Sequence, residues 1–305
     1  MRPLLAAGLA AAAAAQAATN VDSADWGTAG VWELVVPSAS SLSPPPAAWH
    51  HLAAAQGCVY VIGGTGTGAN ATWQFDIGSS TWSILQNATL PAAFAAPGLV
   101  IQGGLVMLYG GQTAADGASN TIAVMSLGNV SAGWSSIAIP GGPGPRAGHR
   151  LVSWGSIVYT LGGWDQASYY NDVWGLDLTT FVQSNFTSGW QMVYPNAAPG
   201  LPSARNSFSW DLYGTGVVLF GGFYHNVVSG DPWTYCNNPN DGCVWYNDVW
   251  FWRPGPTPAN GLLPATSAAG WTQLPATSTT GALPAGRFWH ASGVLGDQLY
   301  IYGGA

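Results

Sequence analysis

The sequence predicts an all-β fold of tandem, four-stranded antiparallel units, and three observations carry that prediction. One template recurs five times without a gap. Pro44, Pro91, Pro143, Pro202 and Pro284 open it, and Ala47, Phe94, Arg146, Arg205 and Arg287 follow three residues on. Three further come His50, Pro97, His149, Phe208 and His290, and thirteen after those a glycine pair begins at Gly63, Gly110, Gly162, Gly221 and Gly303. Fixed intervals of this kind mark stacked copies of one supersecondary unit. The composition agrees: 42 glycines, 17 tryptophans and only 6% charged residues describe many short turns between apolar, aromatic strands. Finally, the apolar runs inside each copy have strand length and are bounded by glycine turns.

Taken from the N-terminus, residues 1–19 read as a secretory leader. Arg2 is the positive n-region, a short apolar run follows, and Ala15-Gln16-Ala17 is a small-residue cleavage site. The apolar run is too short to span a bilayer, and no other segment is expected to cross one. Residues 20–43 form an N-terminal segment in which Trp32-Glu33-Leu34-Val35 is predicted as a fourth strand with no unit of its own. Residues 44–305 read as one domain, since no linker or charge run divides them.

The third copy shows the strands most clearly. Residues 149–154 and 157–161 make a hairpin around Gly155-Ser156, residues 171–177 a third strand, and residues 190–193 a fourth. Asn70, Trp73 and Asp76 mark the third strand of the first copy, and Asn247-Asp248-Val249-Trp250 that of the fourth. Trp82, Trp134 and Trp271 open fourth strands. The second copy is degenerate, with Ala123 in place of the third-strand tryptophan, and the apolar stretch 93–109 is a hairpin rather than a membrane span. The fifth copy stops at Ala305 after its second strand, so a fragment of a longer protein is expected.

These elements, an Arg-x-x-His segment, a strand ending in Gly-Gly, Asn-Asp-x-Trp-x-x-Asp and a closing Trp, recur in order, and through them the chain resembles the kelch-repeat family. The resemblance implies a β-propeller: a ring of four-stranded blades around a central channel, here incomplete, with about five blades and the last truncated.

In such a ring the loops after the second strands and the connections between blades share one face. The distance from the glycine pair to the next Asn is 7, 10, 9 and 26 residues in copies one to four, so ligand recognition is expected on that face. Candidate contacts there are Trp164, Tyr169 and Tyr170 in the third copy. The long fourth-copy insertion adds Phe223, Tyr224, His225, Trp233, Tyr235, Trp245 and Tyr246, rings that suit protein anchors or sugar faces and that also suit packing on one another. Cys236 and Cys243 could close a disulfide within it, and Cys58 reads as a buried strand thiol.

Arg146, Arg205 and Arg287 are a second candidate set. The resemblance implies channel-mouth arginines binding acidic peptide segments, whereas the nearby Asp172 and Asp248 point to inter-strand ion pairs. The template histidines are expected to make a recurring structural hydrogen bond.

The chain has no lysine, and its net charge of −7 argues against a nucleic-acid partner. Asn70, Asn87, Asn129 and Asn185 lie in N-glycosylation sequons. Asp231 and Asp241 lack EF-hand spacing, so no metal site is expected. The expectation is therefore a secreted or cell-surface binding module for protein or glycan, without cofactor and without catalytic residues. The alternative is the propeller part of a secreted copper-radical oxidase of the galactose oxidase type, or of another propeller enzyme acting on carbohydrate such as a sialic acid mutarotase. No motif assigns copper-ligating Tyr and His residues here.

Overall fold

The computed structural model describes residues 42–46, 48–66, 68–85, 88–91, 94–113, 117–225, 242–255, 270–275 and 283–305. Within them the chain forms four complete antiparallel blades and a fifth, two-stranded unit. The first blade comprises His51–Ala55, Cys58–Ile62, Thr72–Asp76 and Thr81–Ile84; the second, Gly98–Gln102, Leu105–Tyr109, Ile122–Ser126 and Ser135–Ile137. The third comprises Arg150–Trp154, Ile157–Trp164, Tyr169–Asp177 and Trp190–Tyr194, and the fourth, Ser209–Tyr213, Gly216–Phe220, Val249–Trp252 and Trp271–Leu274. The fifth unit is the hairpin Ala291–Leu295 with Gln298–Tyr302. The degenerate second copy still makes its blade, because Ala123 keeps the alternation and is itself buried.

Among the described residues one α-helix interrupts the pattern. Leu178–Gln183 follows the third strand of the third blade, and the carboxylate of Asp177 accepts from the Thr179 amide as its N-cap, at 2.9 Å. Leu178 and Phe181 bury the inner side of that helix.

The core lies between blades. Cys58, Tyr60 and Ile62 of the first blade pack on Val106, Leu108 and Met125 of the second. Met107 and Val124 of the second pack with Leu151, Val158 and Leu176 of the third. Tyr159 and Val173 of the third meet Trp210, Leu219 and Trp252 of the fourth. The second strands of the second, third and fourth blades are buried on both faces because a blade covers each side, as in a sandwich interior.

The recurring spacing has a physical origin in these interfaces. The second glycine of each pair donates its amide to the template residue of the next copy: Gly64 to Phe94 O at 2.7 Å, Gly111 to Arg146 O at 2.8 Å, Gly163 to Arg205 O at 2.9 Å and Gly222 to Arg287 O at 2.9 Å. The first glycine lies against the same carbonyl. A Cβ on Gly162, at φ +65°, would sit 2.8 Å from Arg205 O. Gly303, with no following blade among the described residues, meets nothing within 4 Å.

The segment Trp32-Glu33-Leu34-Val35, the leader, Asn87, Trp233, Tyr235 and Cys236 lie outside the described residues.

Candidate functional site at the channel mouth

Five residues after each template proline stand Trp49, Ala96, Gly148, Ser207 and Trp289, and all five have left-handed backbones, with φ of 59, 49, 66, 55 and 55°. Ala96 N donates to Trp49 O at 3.0 Å, Gly148 N to Ala96 O at 2.9 Å, Ser207 N to Gly148 O at 2.7 Å and Trp289 N to Ser207 O at 3.1 Å. A belt of main-chain hydrogen bonds therefore runs from blade to blade around one mouth of the channel. Left-handed geometry costs a non-glycine residue about 1 kcal/mol or more, a strain that structures retain where a surface must be held in shape. Trp49 and Trp289, from the first and last repeats, stand with ring centroids 6.0 Å apart and are 37% and 38% exposed. Trp164 and Gln112, each next to a glycine pair, border the same mouth. The loop face expected from sequence is thus the face that carries this rim.

Below the rim is a cavity of about 500 Å³ with walls from the first strand of all five repeats, among them Leu52, Leu99, Leu151, Trp210 and Ser292. Its titratable groups include Arg150 and Asp211 beside histidines. Arg150 Nε donates to Phe208 O at 2.7 Å, and its Nη1 lies 3.3 Å from His51 Nδ1 on the far side of the ring. Arg150 is within ion-pair distance of no carboxylate among the described residues. Burial opposes its charge, and the more distant Asp211 partly offsets that. Asp211 is itself pushed up by burial while accepting from Ser292 Oγ at 2.6 Å.

Three histidines of this wall stay neutral at physiological pH. Burial first, and Arg150 second, lower His51 to about 3. Burial, then Arg150 and Arg287, lower His290 to about 4. His149 is also held well below its ordinary value, by burial and then Arg146. The recurring hydrogen bond expected of the template histidines is made by one of them: His149 Nε2 accepts from Gly98 N at 3.1 Å. Both ring nitrogens of His290 are buried without a partner. The cavity wall therefore carries the Arg150 cation and the Asp211 carboxyl, out of ion-pair contact with each other, among imidazoles and apolar side chains.

The template arginines do something else. Arg146 and Arg205 are each 1% exposed and lie in ion pairs inside their own blades. Arg146 bonds both carboxylate oxygens of Asp172, at 2.7 and 3.0 Å, and Arg205 those of Asp248, at 2.6 and 2.8 Å. Tyr170 lies under Arg146 at 4.7 Å and Tyr246 under Arg205 at 3.9 Å. The sequence Tyr-Asn-Asp-Val-Trp, present twice, thus builds an internal clasp, and its asparagine carries the chain to the next repeat through Asn171 Nδ2 to Pro202 O at 2.9 Å. Neither guanidinium is exposed at the mouth. Arg287 is partly exposed and forms no ion pair with a carboxylate among the described residues.

Of the aromatic candidates, Phe223 and His225 are buried, and Tyr169 packs among Trp164, Phe223 and Tyr224. Trp245 remains 50% exposed and touches Phe288, which abuts Trp289, so an aromatic ridge leads from the fourth-blade hairpin Phe223–His225 and Cys243–Trp245 to the rim. Cys58 is a buried free thiol. The proposed closure of Cys243 onto Cys236 involves a residue outside the described set. Asn70 and Asn185 are exposed in turns, and Asn129 lies in a 3-10 segment at the blade periphery. Among the described residues no three His, Cys, Asp or Glu side chains converge as metal ligands, and no helix is long and apolar enough to cross a membrane.

Arg150, His51, Trp49, Trp289 and Asp211 were not singled out by sequence. The signal for the first two was available: each directly follows the template histidine, and strand alternation turns that position toward the axis.

A family model described as the KLHDC2/KLHL20/DRC7 Kelch-repeats domain matches residues 49–304. The chain belongs to the kelch-repeat family. Among curated kelch proteins it is 26% identical to Kelch domain-containing protein 3 of Rattus norvegicus and 25% identical to that of Homo sapiens, each over 202 residues, covering 65% of this chain and 44% of the relative. It is 25% identical over 237 residues to Tip elongation aberrant protein 1 of Schizosaccharomyces pombe, covering 74% of this chain and 19% of that protein. This kelch chain therefore spans less than half the length of the curated relatives it matches.

Proposed function

We propose that this kelch propeller is a protein-binding module that takes an acidic segment of its partner into the channel mouth. The observation that carries this reading is Arg150, a cation on the cavity wall that contacts no carboxylate among the described residues, while Arg146 and Arg205 are each saturated by one. A half-buried guanidinium without a contacting carboxylate is incompletely compensated, and an incoming carboxylate would relieve it through charge-assisted hydrogen bonds. Trp49, Trp289 and Trp245 flank the entrance with large, partly exposed rings, the residue type that anchors protein contacts at low entropic cost. The rigid backbone belt would let the rim bind without reorganising. Secretion, from the N-terminal leader, belongs to the same reading.

The test is selection of displayed random peptides on the purified chain, repeated on Arg150→Gln. Enrichment of Asp and Glu in the selected peptides, lost in the variant, is the expected result. Selection of the same peptides by both proteins would overturn the role of Arg150. The exposed indoles at the rim also fit the apolar face of a sugar. Glycan-array binding lost in Trp289→Ala and unchanged in Arg150→Gln would favour that second reading.

A further inference from the structure

The cavity below the rim holds two side chains of opposite sign that do not meet. Arg150 and Asp211 both line it, and they stand on the first strands of neighbouring blades, Arg150–Trp154 and Ser209–Tyr213. Each feels the other's charge, yet no ion pair forms between them. Both strands have described first strands on either side, Gly98–Gln102 beyond one and Ala291–Leu295 beyond the other, so the third and fourth blades fix how the pair is placed.

What separates the two groups is depth. Arg150 directly follows the template position His149, and its counterpart in the fourth blade is Ser209, which follows Phe208. Its guanidinium is tied at that upper level, with Nε donating to Phe208 O at 2.7 Å and Nη1 lying 3.3 Å from His51 Nδ1. Asp211 comes two residues further along the strand, about 7 Å deeper in extended chain. Its Oδ2 accepts from Ser292 Oγ at 2.6 Å, a bond from the next first strand that orients the carboxyl. Among the described residues Arg150 Nη2 and Asp211 Oδ1 make no hydrogen bond. A donor and an acceptor thus face one space of about 500 Å³ at successive depths, a volume in the range of ligand sites.

We infer that the segment taken in at this mouth carries an acidic and a basic residue two positions apart, the carboxylate meeting Arg150 and the basic group meeting Asp211. The inference rests on the channel-mouth reading and adds a second charge to it. In an extended peptide, residues i and i+2 lie on one side about 7 Å apart, the same spacing as the two wall groups. A second carboxylate at the lower level would face Asp211 and be repelled, so an all-acidic run is disfavoured while a mixed pair is matched at both levels. Leu52 and Leu99, on the wall formed by the first two blades, offer the intervening side chain an apolar surface.

The probes are capped heptapeptides titrated calorimetrically into the full 305-residue chain. They are Ala-Ala-Asp-Ala-Lys-Ala-Ala, the same peptide with Asp and Lys exchanged, and versions of each in which Lys is replaced by Met or by Asp. Both ends are blocked, so no terminal charge takes part. One of the two mixed orders is expected to bind at least tenfold tighter than its Met version, with its Asp version weaker still. Asp211→Asn should erase that advantage, and Arg150→Gln should weaken every peptide. The change of Lys to Met leaves the protein untouched, so a misfolded variant cannot mimic the result. Lys and Met versions that bind alike, both weakened by Arg150→Gln, would overturn the pairing and leave the acidic reading standing. Absence of binding by every peptide, or binding indifferent to Arg150→Gln, would overturn both.

Discussion

Arg146 and Asp172 meet as a two-point ion pair, Nη1 to Oδ1 at 2.7 Å and Nη2 to Oδ2 at 3.0 Å, with both side chains almost wholly withdrawn from water. Removing one member leaves the other as an uncompensated buried charge, which costs about 3–5 kcal/mol. Asp172→Asn is therefore expected to lower the urea midpoint strongly, whereas Arg146→Met with Asp172→Leu, which removes both charges, should lower it far less. Equal losses in the single and double variants would show that packing, not charge, sets the cost.

Gly162→Ala tests the blade-to-blade contact. The residue sits at φ +65°, and the new methyl would lie 2.8 Å from Arg205 O. Left-handed strain alone costs about 1–2 kcal/mol, and the overlap adds to it. Gly214→Ala, at φ +53° with nothing within 4 Å of its Cβ, is expected to show the strain alone. The difference between the two unfolding free energies measures the inter-blade term.

His290→Phe tests the acid sensitivity of the fold. A base lowered to about 4 in the folded state, against about 6.5 unfolded, makes the unfolded chain bind more protons between those limits. Its contribution is complete above about pH 6.5 and is lost as pH falls toward 4. Phe208 fills the same template position in the fourth repeat, so the substitution should fit, and it removes two unpartnered ring nitrogens. Stability at pH 7 is expected to hold or rise, and the decline in urea midpoint from pH 7 to pH 4.5 to shrink. A decline unchanged by the substitution would assign the effect to carboxylates.

Arg150→Gln separates binding from folding. The residue has no ion-pair partner among the described residues, so the unfolding free energy should stay within about 1 kcal/mol of the parent. Affinity for a selected acidic peptide should fall at least tenfold, and its dependence on salt should flatten. A large loss of stability with unchanged affinity would make Arg150 a structural residue.

What the sequence determined by itself was the periodic part of the molecule. The glycine pairs, the template prolines and the Tyr-Asn-Asp-Val-Trp strands fix blade, strand and loop because their constraints are local or act between neighbouring copies at constant spacing: a left-handed turn, a carbonyl under a glycine, an asparagine reaching the next proline. Thus the third-copy strands expected at 157–161 and 171–177 lie within the observed Ile157–Trp164 and Tyr169–Asp177. Two questions were left to the tertiary structure. It placed Arg146 and Arg205 inside their blades, since only the register of the third strand brings Asp172 and Asp248 onto them. It also brought His51 and Arg150, 99 positions apart, together across the ring, and set Trp49 beside Trp289. Curvature around an axis creates those meetings, and no interval along the chain encodes which non-repeating side chains will share the centre.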